Sequence, residues 1–274
     1  MAQKSNLEDM KDKYKVTREF QSEGKLILIL GAGGNWGGHF SLGMPAACKC
    51  DAILSEENEE SLKEIINDIK SSKLPVKTFT YYYSKEQKKD KISLYDLIEK
   101  KFGHISSILD VEGINTNYSF PNSAEIEQKP ILNKEDMKPR YQIGPNDSLN
   151  GKKIVIVGAA GNWGSHMALG MGLAGRADLI LVDKEERKNE LEKVKSDIGN
   201  SVSIVIELIG NNENYNRFEI YKRIEKKYGN FDSFMDMYEI NNNNWQSFIT
   251  KAVNFEKVTN YFYTIIMGKL NIIR

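Results

Sequence analysis

One long internal repeat constrains this chain more than any other feature. Residues 25–59 (KLILILGAGGNWGGHFSLGMPAACKCDAILSEENE) align without a gap on residues 152–186 (KKIVIVGAAGNWGSHMALGMGLAGRADLILVDKEE), with 18 of 35 positions identical. Residues 93–117 align on residues 219–243 with 11 of 25 identical, and the offset changes only from 127 to 126 between the blocks. A solenoid repeat runs to roughly 20–45 residues, so a period this long predicts two folding units, each with its own core. Four of the six prolines, Pro121, Pro130, Pro139 and Pro145, fall between the copies in a stretch without apolar periodicity. Proline at that density blocks both helix and sheet. The expected organisation is a polar tail over 1–23, a first unit over 24–115, a Pro-rich linker over 116–150 and a second unit over 151–274.

Periodicity gives the elements. Each copy opens on an aliphatic run, 26–30 and 154–157, of the continuous kind that suits a strand buried on both faces. Helices are expected at 37–48 and 164–174, second strands at 52–54 and 179–182, and amphipathic helices at 59–71 and 185–198. Third strands at 76–82 and 202–209, helices at 94–101 and 218–227, and fourth strands at 105–111 and 231–237 complete the copies. This alternation predicts an α/β fold of two tandem doubly wound parallel-sheet, Rossmann-like units. Only the second copy continues, into a long helix at 245–266 and a short strand at 270–273.

The glycines between first strand and first helix carry the candidate chemistry. Gly31, Gly34 and Gly37 form G-x-x-G-x-x-G around Asn35 and Trp36, and Gly158, Gly161 and Gly164 do so around Asn162 and Trp163. A glycine turn leaving a strand and opening a helix suits a pyrophosphate. The first Gly lets the chain turn, the middle one admits the phosphates, and the last packs helix on strand. The helix N-terminus supplies free N–H donors and a positive dipole end. A tight turn holding no ligand is the competing reading. Asp183 and Glu56, each 19 residues past the last motif glycine, stand where a ribose-binding acid is expected. A carboxylate there accepts from ribose hydroxyls and repels a 2′-phosphate, so NAD is the expected cofactor. Lys184 and Arg187 lie near enough to keep NADP open. A mid-helix Pro45, against Gly172 in the second copy, is expected to kink the first helix and weaken binding there.

Composition excludes other classes. Lys+Arg and Asp+Glu are both 38, which argues against a nucleic-acid binder or a polybasic membrane-surface protein. No apolar run reaches the ~18 residues of a membrane span, and residues 1–23 lack a signal-peptide core, so a cytoplasmic protein is expected. Cys48 and Cys50 alone make neither a disulfide framework nor a metal site, and no metal is expected.

Residues 149–274 resemble the N-terminal half of the short-chain dehydrogenases/reductases, and residues 24–114 resemble the same family. Residues 152–183 are similar to its first strand, glycine turn, helix and second strand, and residues 228–232 to the approach to its fourth strand. Residues 245–267 are similar to its long interface helix, which implies a homo-oligomer through that helix or an internal pairing against the first copy. Within it, Asn254 falls at the catalytic asparagine of the family. Residues 268–273 are similar to its fifth strand. The departures are Asn35 and Asn162 where short forms of the family have Gly, tolerable because Asn enters left-handed backbone most easily, and Asp110–Gly113 and Asp236–Glu239 in place of Asn-Asn-Ala-Gly. The family's Ser and Tyr-x-x-x-Lys are absent at the expected place. The only such spacing, Tyr81 to Lys85, ends the first copy's third strand. His39 and His166 sit too near the phosphate end for hydride chemistry, and residues 241–244 read as an Asn-rich loop. The resemblance implies an NAD(P)-binding protein of oxidoreductase type without its catalytic part in this chain. The alternative is a non-catalytic nucleotide-binding or assembly protein built from duplicated Rossmann units.

Overall fold

An unbroken aliphatic strand must be covered on both faces, and helices do this here. In the computed structural model, residues 22–71, 76–115, 148–210 and 214–241 are described. The first half of the chain gives β1 (Leu26–Leu30), α1 (Asn35–Cys48), β2 (Asp51–Glu56), α2 (Glu59–Ser71), β3 (Thr78–Tyr82), α3 (Lys85–Lys88), α4 (Lys91–Phe102) and β4 (Ser107–Asp110). The second gives β5 (Lys153–Val157), α5 (Asn162–Leu169), β6 (Asp178–Lys184), α6 (Lys188–Ile198), β7 (Ile204–Ile209), α7 (Arg217–Tyr228) and β8 (Ser233–Asp236). The helix and strand expected at 245–266 and 270–273, Asn254, and most of the linker and the tail lie outside the described residues.

Side-chain alternation divides the core into two layers. Ile27, Ile29, Ile154 and Ile156 pack with Trp36, Phe40, Trp163 and Met167 on one face. Leu28, Leu30, Val155 and Val157 pack with Tyr95, Ile98, Ile224 and Phe234 on the other. All sixteen are buried, and each aliphatic one contributes roughly 1.5–3 kcal/mol by leaving water.

The two expected sheets are in fact one. Eight strands run in the order β3-β2-β1-β4-β8-β5-β6-β7, parallel within each half and antiparallel where β4 meets β8. A fourth strand left at the sheet margin would present unpaired N–H and C=O groups, and each half covers the other's. Ile108 faces Asp236, Leu109 faces Met235, and Asp110 faces Phe234. Ser107 Oγ donates to the Asp236 carbonyl and Ser233 Oγ to the Asp110 carbonyl, both at 2.6 Å. Gly113 lies against this seam, where a Cβ would stand 2.2 Å from the Asp232 carbonyl oxygen.

Two further expectations change. α1 continues through Pro45, ten residues beyond its first residue Asn35, to Cys48, so Pro45 does not end the helix. The second-half helix is the one that alters, passing from α5 into a π-turn over Gly170–Ala174. At the outer margin, Glu207 of β7 receives Lys227 Nζ and the Tyr228 hydroxyl, each at 2.7 Å.

Candidate functional site

In an open parallel sheet the crevice for a ligand lies outside the carboxyl ends of the strands, where the strand order reverses. Here that point falls between β1 and β4 in the first half and between β5 and β8 in the second. Both crevices are built on a glycine turn. Gly31 and Gly158 have φ of +74° and +75°, which takes the chain sharply off the strand. Gly37 and Gly164 let the helix close on the turn: a Cβ would meet the Gly31 and Gly158 carbonyl oxygens at 1.8 and 2.1 Å. Asn35 and Asn162 need no left-handed backbone, because they begin α1 and α5, and the positive-φ non-glycine residues are Lys49 and Arg176. Asn35, Trp36, Asn162 and Trp163 are buried, and the Asn162 Oδ1 accepts from the Trp163 amide at 2.9 Å.

Those N–H groups have partners within the chain. Asn115 Oδ1 accepts from the Trp36 and Gly37 amides at 3.1 Å each, and its Nδ2 donates to the Gly31 carbonyl at 2.7 Å. Asn241 repeats the arrangement. Its Oδ1 accepts from the Trp163 and Gly164 amides at 2.9 and 3.3 Å, and its Nδ2 donates to the Gly158 carbonyl at 2.8 Å. The middle glycines admit this side chain: a Cβ on Gly34 would stand 2.2 Å from Asn115 and one on Gly161 2.1 Å from Asn241.

The acids turn inward as well. Glu56 Oε2 accepts from the Gly33 amide and Asp183 Oδ2 from the Ala160 amide, both at 2.9 Å. Asp183 is 1% exposed, with Arg187 Nη1 at 3.9 Å, so it does not face a ribose in this arrangement. Burial raises the pKa of both carboxyls, partly offset at Asp183 by Arg187 and at Glu56 by the amide hydrogen bonds. His166 is buried and donates from Nδ1 to the Asn162 carbonyl at 2.7 Å. Burial pulls its pKa down to about 4, so the ring is neutral near pH 7.

Around each mouth a second ring of groups closes in. In the first half Lys88 bridges Glu57 and Glu112, Lys91 joins Asp110 at 3.0 Å, and Tyr83 donates to Glu112 at 2.9 Å. Burial and Glu112 push the Tyr83 pKa far up, so this hydroxyl keeps its proton near neutral pH. In the second half Tyr238 stacks on Tyr215 with centroids 4.0 Å apart, and Lys184 Nζ stands 6.0 Å from the Tyr238 ring. A fifth strand would continue beyond the fourth, and in each half that position is held by the other half's fourth strand.

A dinucleotide phosphate fits this donor set in kind, since paired N–H groups at a helix N-terminus behind a glycine suit an anion. The place itself is filled by an asparagine amide. Sequence reasoning singled out the glycines and acids but missed Asn115 and Asn241. The signal was present: Ile114-Asn115 and Ile240-Asn241 are identical in the aligned second block, although residues 111–113 and 237–239 diverge. Among the described residues no group of His, Cys, Asp and Glu could hold a metal, and no helix is long and apolar enough to cross a membrane.

No family model matches the sequence, and no curated protein matches it significantly. The solved structures that resemble it are mostly short-chain dehydrogenases/reductases. One from Mycobacterium marinum has 13% identity, spans 66% of this chain and 65% of its own, and gives a TM-score of 0.27. The Pseudomonas aeruginosa RhlG complex with NADP has 7% identity over 70% of this chain and 98% of its own, with a TM-score of 0.30. L-Sorbose reductase from Gluconobacter frateurii, complexed with NADPH and L-sorbose, has 11% identity over 61% and 71%, with a TM-score of 0.28. Likenesses this slight carry no argument about activity, which rests on the residues of this chain.

Proposed function

We propose that the chain is a nicotinamide-dinucleotide-binding protein of Rossmann type, similar to the short-chain dehydrogenases/reductases, that takes NAD in preference to NADP and performs no hydride transfer by itself. Duplication of one ancestral unit accounts for the two matching turns. The observation that carries this reading is the convergence of the Ala160, Trp163 and Gly164 amides behind Gly161, with Asp183 next to last in the neighbouring strand β6. Asp183 sets the cofactor preference by the charge it holds behind the turn and by fixing the Ala160 amide, not by accepting from the ribose. Hydride transfer needs a proton donor or acceptor at the reacting oxygen, and the Tyr83 hydroxyl is committed to Glu112 while His166 is buried against the Asn162 carbonyl.

Calorimetric titration with NAD, NADP and ADP-ribose tests the binding. Saturable binding with NAD ahead of NADP is expected, and Asp183→Asn narrows the difference; no saturable binding of any of the three overturns the reading. Turnover of nicotinamide absorbance at about 1 s⁻¹ or more on small carbonyls or alcohols would overturn the non-catalytic part. The β4–β8 seam favours a second reading, an assembly protein in which two Rossmann-like halves serve chiefly to complete one sheet.

A further inference from the structure

We infer that Asn115 and Asn241 are built-in competitors for the phosphate position, so that each glycine turn is latched by the chain itself and a dinucleotide enters only by displacing an asparagine amide. This inference rests on the dinucleotide reading and specifies how that site is regulated.

Four observations meet at each turn. The amide oxygen takes two successive N–H groups of the helix N-terminus, at residues 36 and 37 and again at 163 and 164. The amide nitrogen ties the same side chain to the carbonyl of the first motif glycine. The missing Cβ of the middle glycine is the space into which that side chain fits. A carboxylate from the second strand holds one more amide of the turn. One such contact would be ordinary capping. The same three-point grip in both halves, by residues at one offset of 126, is a repeated device.

The contest has a direction. A neutral amide oxygen and a phosphate oxygen seek the same donors, and the charged acceptor makes the stronger hydrogen bonds. The helix dipole adds to the phosphate's advantage. Against it stand the desolvation of the phosphate, the nearby Asp183 carboxylate and the loss of the tie to Gly158. Dinucleotide affinity is therefore lowered by the latch without being abolished, and residue 241 governs it in a predictable order. Asn241→Ala removes its acceptor from both amides, leaving Trp163 with the Asn162 side chain at 2.9 Å, and empties the space before Gly161. Asn241→Asp keeps an acceptor on those amides, gives it a charge that the helix N-terminus favours, and repels phosphate.

The test is calorimetric titration of the full chain with ADP-ribose, in wild type, Asn241→Ala and Asn241→Asp, with circular dichroism as the control for folding. Asn241→Ala is expected to bind about ten-fold more tightly than wild type and Asn241→Asp about ten-fold more weakly. If wild type binds and both variants match it, or if Ala weakens binding, the latch is overturned while the dinucleotide reading stands. If no form binds, the dinucleotide reading falls and the latch, as a competitor, falls with it. Should the Ala variant fail to fold, wild type against Asn241→Asp decides alone, and equal affinities there overturn the latch.

Discussion

Asp110 and Asp236 end the two strands that meet at the seam, and the two halves of the molecule treat them differently. Asp110 receives the Tyr95 hydroxyl at 2.6 Å and has Lys91 at 3.0 Å. Asp236 is fully buried and has Arg217 Nε at 2.9 Å, while Tyr221, at the position of Tyr95, packs edge-on against Phe231 and Phe234. Two positions further, Glu112 gathers lysines and Tyr238 stacks on a tyrosine. Yet the asparagine and the acid that cap the glycine turn make matching contacts in both halves. Backbone donors impose a demand that does not depend on side-chain chemistry around them. The shared parts answer that demand, and the surrounding charges are free to diverge.

The largest effect that could break this comparison lies at the last motif glycine. A Cβ there meets a backbone carbonyl oxygen, which has no flexible end to yield. Gly37→Ala and Gly164→Ala are each expected to cost about 4 kcal/mol or more in urea denaturation. A large loss at only one of them would show that the two turns do not share one geometry.

The next effect separates the halves. Removing one partner of a buried ion pair leaves an uncompensated charge and costs about 3–5 kcal/mol. Arg217→Met should reach that range, since Arg217 is 6% exposed and Asp236 0%. Lys91→Met should cost clearly less, because Lys91 and Asp110 are 19% and 8% exposed where Arg217 and Asp236 are 6% and 0%. Equal losses would mean that the difference in burial between the two pairs contributes nothing.

The smallest effect depends on pH. His166 has a folded pKa of about 4, below its ordinary value of 6.5. Between these values the unfolded chain binds the proton first, so stability falls as pH drops from 6.5 towards 4 and is unaffected above 6.5. The full loss is about 3 kcal/mol. Asp183 and Asp236, whose carboxyls burial raises, work in the opposite sense, so the quantity to measure is wild type minus His166→Gln at pH 7 and pH 4.5. A difference that does not grow at the lower pH would place the ring in contact with water.

The strands were legible because their residues announce burial: β1 and β5 begin within a residue of their expected bounds, and α2 matches in full. Helix starts moved by two or three residues, since Asn35 and Asn162 look like turn formers and yet enter the helix. The seam was illegible for a physical reason. β4 and β8 are four-residue strands, and a strand of that length carries no mark of which neighbour it will pair with or in which direction. The candidate site was half legible. A carboxylate after the second strand has one appearance in sequence whether it faces a ribose or its own turn, so Glu56 and Asp183 could be located but not aimed. Asn115 and Asn241 were hidden for the opposite reason, lying in loops whose polar composition invites no further question.

The strand order also decides how this molecule behaves in a crowd. Among the described residues β7 pairs with β6 alone, and its six residues are five aliphatics and one acid. A half-buried aliphatic strand with a free outer margin is a template for cross-β growth by further chains. Glu207 stands in the middle of that template. Burial works against its charge, but Lys227 and Tyr228 hold the carboxyl below its ordinary range, so it stays ionised near neutral pH. An incoming strand would have to bring a second charge up to this one or strip it of its two partners. What looks like an ordinary surface contact thus keeps a paired charge at the middle of that margin, the placement that disfavours edge-to-edge pairing.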